Sequence, residues 1–335
     1  MSSIPAPFAL LNLVQGAMVS QALYAAATLG IADELADGPL APEEIGKRVD
    51  ADPESTYRLL RVLAAYGVFA EREDKTFELT PMADALRTDA PLSMRRIARL
   101  MGHPTHWEDW GHFLEAVRTG EPSLPKVRGM SAWEYFGANP EYAQVFFAGM
   151  GNLSDLETVP VSQGYDYSPF GRIVDVGGGS GALLAAILER TPQASGVVFA
   201  PSSVEAAQQV LAQAGVADRC TIEEGSFLES APAGGDAYIL KHIVHDWPHE
   251  QAVAILRNVR SVIGPQGKLL LMESVVPEGN TPHSSKLVDL WLLLLVGGRE
   301  RTEAEYRKLL SDAGFALSKI TETPAGVAII EADPV

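Results

Sequence analysis

From Arg172 to the carboxyl terminus, short apolar runs alternate with amphipathic stretches of helical period, and this alternation limits the architecture more than any other feature of the chain. The runs "RIVDVG", "SGVVFA", "CTIEEGSF", "DAYILKHIV" and "KLLLMESVVP" read as strands. Between them "GALLAAILERT", "SVEAAQQVLAQAG", "QAVAILRNVRSVI" and "EAEYRKLLSDAGF" read as helices, and a final pair of strands is expected around "LSKITETPAGVAIIEA". Strands joined through helices pair in parallel, and the helices cover both faces of the sheet. In that architecture ligands bind outside the carboxyl ends of the strands, where the strand order reverses. His245 follows one strand's carboxyl end, and Glu273 lies near the end of the next.

The chain has 335 residues, more than one such sheet needs, and the amino-terminal part reads differently. Residues 1–155 are expected to form a helical domain and residues 156–335 the α/β domain. Within the first, "PLAPEEIGKRV", "DPESTYRLLRVLAAYGVFAE" and "REDKTFELTPMADALR" give helix, turn, helix and a short hairpin, with Asp52 and Pro53 as the start of the second helix. This is a winged helix-turn-helix pattern. DNA binding is its sharpest reading, but Asp50, Asp52 and Glu54 flank Arg58 and Arg61, and the net charge is −17. With no basic stripe to meet a phosphate backbone, the expectation is structure or dimerisation.

The opening segment, "MSSIPAPFALLNLVQGAMVSQALYAAATLGIADEL", is apolar but has no Lys or Arg before Lys47, and Asn12, Gln15, Ser20 and Gln21 interrupt it. It reads as a buried helix whose natural cover is a second copy of the chain, not as a signal or a membrane span. "LWLLLLV" is too short to span a bilayer. The single cysteine, Cys220, rules out an internal disulfide framework and suits a cytoplasmic protein. His103, His106 and His112 fit no metal-ligand spacing, so no metal is expected.

The first strand of the α/β part runs into Asp175-Val176-Gly177-Gly178-Gly179-Ser180-Gly181. Glycines allow a tight turn and a close approach to a ligand, and the helix that follows offers free N–H groups. Gly177, Gly179 and Gly181 give GxGxG after an acidic residue, which favours S-adenosylmethionine over a dinucleotide.

At this point the sequence resembles a known family. In order and spacing, "DVGGGSG", "LKHIVHDWPHE", "LLLMESVVPEG" and "GGRERTEAEYRKLLSDAGF" are similar to the small-molecule O-methyltransferases that include plant phenolic and bacterial polyketide enzymes. The resemblance covers nearly the whole chain. It implies a Rossmann-like class I methyltransferase domain with an α-helical, winged-helix dimerisation domain ahead of it, a homodimer, and no metal. It also implies that His245 is the general base, flanked by the carboxylates Glu273 and Glu300. A phenol of pKa about 10 is a poor nucleophile at neutral pH, and a histidine of pKa about 6.5 within reach suits its ionisation.

For the cofactor, the resemblance assigns Asp175, Gly177, Gly179 and Gly181 to the turn around S-adenosylmethionine, Lys241 to a basic residue beside it, and Phe227 and Trp247 to the surroundings of adenine. Phe147, Met150, Asp289 and Trp291 fall where the acceptor pocket is expected, and the substrate is a small aromatic or polyketide-like molecule. Two positions depart from the family's pattern. Ala200, in Phe199-Ala200-Pro201-Ser202, stands where an acidic residue accepts both ribose hydroxyls, and Ser226 where an Asp lies beside adenine. Losing one such acceptor costs about 1.5 to 3 kcal/mol, or roughly ten- to a hundredfold in affinity. Three readings remain open: an O-methyltransferase in which other groups replace those carboxylates, a relative with weakened cofactor binding that catalyses decarboxylation, cyclisation or hydroxylation, or a non-catalytic winged-helix regulator or binding protein, against which the acidic charge and the intact base constellation argue.

Overall fold

A computed structural model describes residues 4–201 and 204–335; Ser202 lies outside them. The chain divides into two compact units. One comprises the chain up to Gly111 together with Trp133–Asp155, and the other comprises His112–Ala132 and Leu156–Val335. Residues 112–132, assigned from the sequence to the amino-terminal domain, therefore cluster with the α/β unit.

The first unit opens with the helix Ala6–Leu29, ended by Gly30 in the left-handed conformation at φ 74°. It is long and apolar enough to cross a membrane by length and composition alone. Residues 4–18 are exposed, so the chain itself does not cover the outer part of this helix, in keeping with the expectation that the cover is a second copy. Helices Pro42–Arg48 and Pro53–Ala65 follow, the second capped by the Asp52 carboxylate, which accepts the Ser55 N–H at 2.8 Å. β1 (Phe69–Glu71) and β2 (Phe77–Leu79) then pair antiparallel as the wing. Ile31, Leu35, Ile45, Leu60, Leu63, Phe69 and Phe77 form the core of this unit.

In the second unit β3 (Arg172–Val176), β4 (Ser195–Ala200), β5 (Cys220–Glu224), β6 (Ala237–Lys241) and β7 (Lys268–Glu273) run parallel, and β8 (Phe315–Glu322) and β9 (Ala328–Pro334) are antiparallel additions. The order is β5-β4-β3-β6-β7-β9-β8, so the order reverses at β3, between β4 and β6. Side chains alternate across the sheet. Val174, Tyr238, Leu240, Leu269 and Leu271 pack with Ile255, Leu256 and Val259 of the helix His249–Val262. Ile173, Ile239 and Leu270 pack on the other face with Leu184, Ile187 and Leu188 of the helix Ala182–Arg190.

β6 stops earlier than its apolar run. His242 has φ 52°, a left-handed backbone that a residue with a Cβ seldom adopts, and a 3-10 turn at Val244–Asp246 follows. The next helix has Pro248 as its N-cap and no side-chain cap, so Asp246 does not start it.

Candidate active site

The glycine-rich turn lies at the carboxyl end of β3. Gly177, Gly179 and Gly181 have φ of 79°, 52° and 72°, conformations that favour glycine. A Cβ on Gly177 would stand 2.4 Å from Ile243 Cδ1, whereas one on Gly179 would meet only open space. The first glycine is thus a packing requirement, and the second leaves room for a ligand. Beneath the turn Asp175 is buried, with Oδ2 lacking a hydrogen-bond partner. Burial raises its pKa to about 7, against the pull of Lys241.

Phe227 lies beside Gly177 and meets Trp247 edge to face, with ring centroids 6.2 Å apart. Lys241 Nζ is 3.0 Å from Glu157 Oε2. At the end of β4, Ala200 offers only a buried methyl group, and Ser226 Oγ accepts the Leu228 N–H at 3.3 Å. Ala200 pairs in register with Glu224 of β5, whose side chain is exposed. Neighbours in register lie side by side on one face, so Glu224 places a carboxylate beside the position where β4 has none. The sequence analysis did not single it out, and strand register is the signal that finds it.

His245 sits in the turn after β6, 8% exposed. Its Nδ1 is 3.0 Å from Glu300 Oε1 and 3.4 Å from Glu273 Oε2, and its Nε2 is 3.5 Å from Asp246 Oδ1. Three short anchors fix this arrangement. Glu273 Oε1 accepts the N–H groups of Ile243 and Val244 at 3.1 and 3.0 Å, which ties the end of β7 to the turn. Asp289 Oδ1 accepts the Glu300 N–H at 2.9 Å. The Arg301 guanidinium donates to the carbonyls of Val244 and Trp247, at 2.9 and 3.2 Å. Asp289 therefore holds the loop that carries Glu300, a task its sequence assignment to the acceptor pocket did not include.

Charge follows from this geometry. Burial disfavours the His245 imidazolium, but Glu273, Asp246 and Glu300 together overcome it and raise its pKa to about 10. Burial also opposes the Glu273 charge, yet the two imidazoles of His245 and His242 and the Arg301 guanidinium hold its carboxyl below the usual range. Asp246 is pushed up to about 6, chiefly by burial.

Strand alternation carried on through "DAYILKHIV" would put His242 and His245 on opposite faces. The left-handed backbone of His242 turns it the other way: its ring stacks on that of His245, centroids 4.9 Å apart and planes 28° apart. His242, His245 and Glu273 bring three donor atoms within 4.8 Å of one another. A metal, however, needs each ring nitrogen's lone pair aimed at one point, and two stacked rings aim theirs along nearly parallel lines. The arrangement fits a proton-handling cluster better than a metal centre.

The remaining assignments lie elsewhere. Trp291 is half-buried in the helix Ser285–Leu295. Phe147 and Met150 belong to the first unit, on the helix Pro140–Gln163; Phe147 is 52% exposed and packs on Phe136 with centroids 5.4 Å apart. His106 is a core histidine that accepts the Trp110 Nε1–H at 3.0 Å, and burial lowers its pKa to about 4.

A glycine turn at the reversal of strand order, with a buried histidine flanked by carboxylates after the adjacent strand, is the layout of a Rossmann-like methyltransferase. Comparison with known proteins takes this to the family. Residues 110–316 match the O-methyltransferase domain and residues 11–89 the O-methyltransferase dimerisation domain, and the chain belongs to this family. It is 40% identical to the phenazine O-methyltransferase of Lysobacter antibioticus over 99% of this chain and 98% of that protein. The crystal structure of LaPhzM matches at a TM-score of 0.92 with 40% identity, over 99% of this chain and 100% of that one. A methyltransferase of calicheamicin biosynthesis, in its SAH-bound form, matches at a TM-score of 0.89 with 33% identity and full coverage of both chains.

Proposed function

We propose that this O-methyltransferase acts on a hydroxyl of a flat aromatic natural product, with His245 as general base. The observation that carries the reading is the fixed approach of Glu300 and Glu273 to His245 Nδ1, at 3.0 and 3.4 Å. With Nδ1 engaged, Nε2 is the nitrogen that takes the acceptor's proton. Glu273 and Glu300 hold the ring plane and steady the imidazolium that results, while burial of the turn excludes water.

S-adenosylmethionine is the cofactor, and bound it supplies an electrophilic methyl group. The residues fit it: Gly177, Gly179 and Gly181 shape the cradle, the unpartnered Asp175 Oδ2 is an acceptor within it, and Phe227 and Trp247 offer faces for a base. Glu224 takes the place of the carboxylate that Ala200 lacks. The relatives described above are named as methyltransferases.

Asp289, which holds the Glu300 loop, stands on the acceptor's side of the base. The acceptor is a product of secondary metabolism, a class the phenazine enzyme's name supports. The enzyme works in the cytoplasm as a homodimer without metal, nucleic acid or membrane. The dimerisation domain and the exposed apolar helix Ala6–Leu29 support the pairing. Incubation with S-adenosylmethionine and a panel of hydroxyphenazines and hydroxynaphthoates, read by mass spectrometry, tests the activity. A singly methylated aryl ether is expected; release of carbon dioxide or gain of oxygen without methylation would overturn the reading.

A further inference from the structure

We propose that His242 is a positioning residue for His245: an imidazolium clamped by Glu157, whose charge, stacked on the base, weakens the hold on the proton that the surrounding carboxylates would otherwise give that ring. This deepens the reading of His245 as the base and rests on it.

The geometry begins at the backbone. His242 holds φ 52° at the end of β6, where its N–H donates to the Met272 carbonyl at 3.1 Å. A histidine in the left-handed region persists only where its surroundings fix it, and such residues gather at functional sites. Here the distortion turns the ring onto that of His245. His242 Nε2 donates to both oxygens of Glu157, at 3.0 and 2.8 Å, and Lys241 Nζ meets the same carboxylate at 3.0 Å. The clamp closes a span of 85 residues, from the helix Pro140–Gln163 to the end of β6. On its other side His242 Nδ1 stands 3.7 Å from Glu273 Oε2, the oxygen that also faces His245.

A base enclosed by carboxylates alone would keep its proton. The groups around the two rings are Glu157 from the helix, Lys241 from β6, Asp246 from the turn, Glu273 from β7, and Glu300 with Arg301 from the loop before the helix Glu303–Asp312. Tyr306, on that helix, is held neutral by burial and donates its hydroxyl to the Ser274 carbonyl. With both rings charged, four carboxylates meet four positive groups. Loss of the His245 proton then leaves the cluster one charge short; were His242 neutral as well, it would be two short. The like charge on a ring 4.9 Å away also repels the His245 proton. Glu157 and Glu273 raise the His242 pKa to about 9 in spite of burial, so this ring is charged at neutral pH. The protons leave in two steps that belong to the pair.

The test is a proton titration of ligand-free protein carrying ¹³C at histidine Cε1, followed by NMR. It reads the coupling whether or not any acceptor is methylated. His242→Phe keeps a ring in place and removes its charge; His242→Gln removes the charge with a smaller, polar side chain. In both variants the apparent pKa of His245 is expected to rise by about one unit, a tenfold change in its proton equilibrium. The His249 signal, from the pair with Asp312, serves as reference. If His242→Phe fails to fold, His242→Gln decides by the same criterion. An unchanged or lowered His245 pKa overturns the proposal, even if activity is lost.

Discussion

Glu273 holds His245 from two sides at once: one carboxylate oxygen anchors the turn by accepting the N–H groups of Ile243 and Val244, and the other stands 3.4 Å from His245 Nδ1. The position of His245 and the stability of its charge thus depend on one buried side chain, 0% exposed. Removing the charge on Glu273 or Glu300 loosens the imidazole, whereas removing the imidazole removes the base.

Replacing His245 by Asn is therefore expected to lower kcat by roughly 10²- to 10⁴-fold, the usual contribution of a positioned general base. Glu300→Gln should cost less, because the amide still accepts a hydrogen bond from Nδ1. Calorimetric titration with S-adenosylhomocysteine should give the same affinity for both variants as for the parent. Near-parental kcat in His245→Asn would remove His245 from the chemistry.

The pH dependence has a definite sign. A base must be neutral to take a proton, and the carboxylates raise the His245 pKa to about 10, so kcat/KM at saturating cofactor is expected to rise as pH increases from neutral toward that value. Stability runs the opposite way. A group whose folded pKa lies above its ordinary 6.5 stabilises fully below 6.5 and loses that contribution as pH rises through about 10. Urea midpoints measured across that window should fall more steeply for the parent than for His245→Asn. Parallel curves would mean that the ring is not charged in the folded state.

Much of this site was legible in the chain, and the exceptions have physical causes. The glycines at 177, 179 and 181 announce a turn because few other residues tolerate their backbone, whereas His245, Glu273 and Glu300, up to 55 residues apart, were linked only by the family resemblance of their motifs. Strand periodicity assumes an extended backbone, so it carried β6 on through His242 and assigned that ring to the wrong face; nothing in "LKHIV" signals a positive φ at a histidine. Asp246 followed by a proline looks like a helix start, but the chain turns once as a 3-10 helix first and Pro248 takes the cap. Glu157 lies 85 residues from His242, and no pattern along the chain links them.

Gly298 is a further packing constraint. A Cβ there would lie 2.0 Å from the His245 carbonyl oxygen, the atom that accepts the Arg299 N–H at 2.8 Å. Gly298→Ala must shift the loop carrying Glu300 or the turn carrying His245. An expected loss of about 1 to 3 kcal/mol of stability, read from the urea midpoint, should accompany a fall in kcat. A stable, fully active variant would show that this close approach is not kept in solution.

The missing ribose acceptor makes a separate prediction. Ala200→Asp should tighten S-adenosylmethionine binding by roughly tenfold or more, since a hydrogen bond to a charged group contributes about 1.5 to 3 kcal/mol. Glu224→Gln, beside it in register, should weaken binding in the parent. The same change in Ala200→Asp should matter little, because the two carboxylates would serve one pair of hydroxyls. Calorimetry on the four proteins separates these outcomes. Equal affinity in the parent and Glu224→Gln would mean that Glu224 does not replace the carboxylate absent from position 200.

The helix Ala6–Leu29 exposes Phe8, Leu13 and Met18 by 61, 78 and 71%. A run of large apolar side chains in water is costly, at about 25 cal/mol per Å² left uncovered, so a covering partner is expected. The dimerisation domain matched over residues 11–89 makes a second copy the expected partner. Size-exclusion chromatography with light scattering should give twice the chain mass at micromolar concentration. Leu13→Glu together with Met18→Glu should yield monomers, because each substitution would bury an unpaired carboxylate in the interface. A parent protein that runs as a monomer would leave this helix needing a different cover.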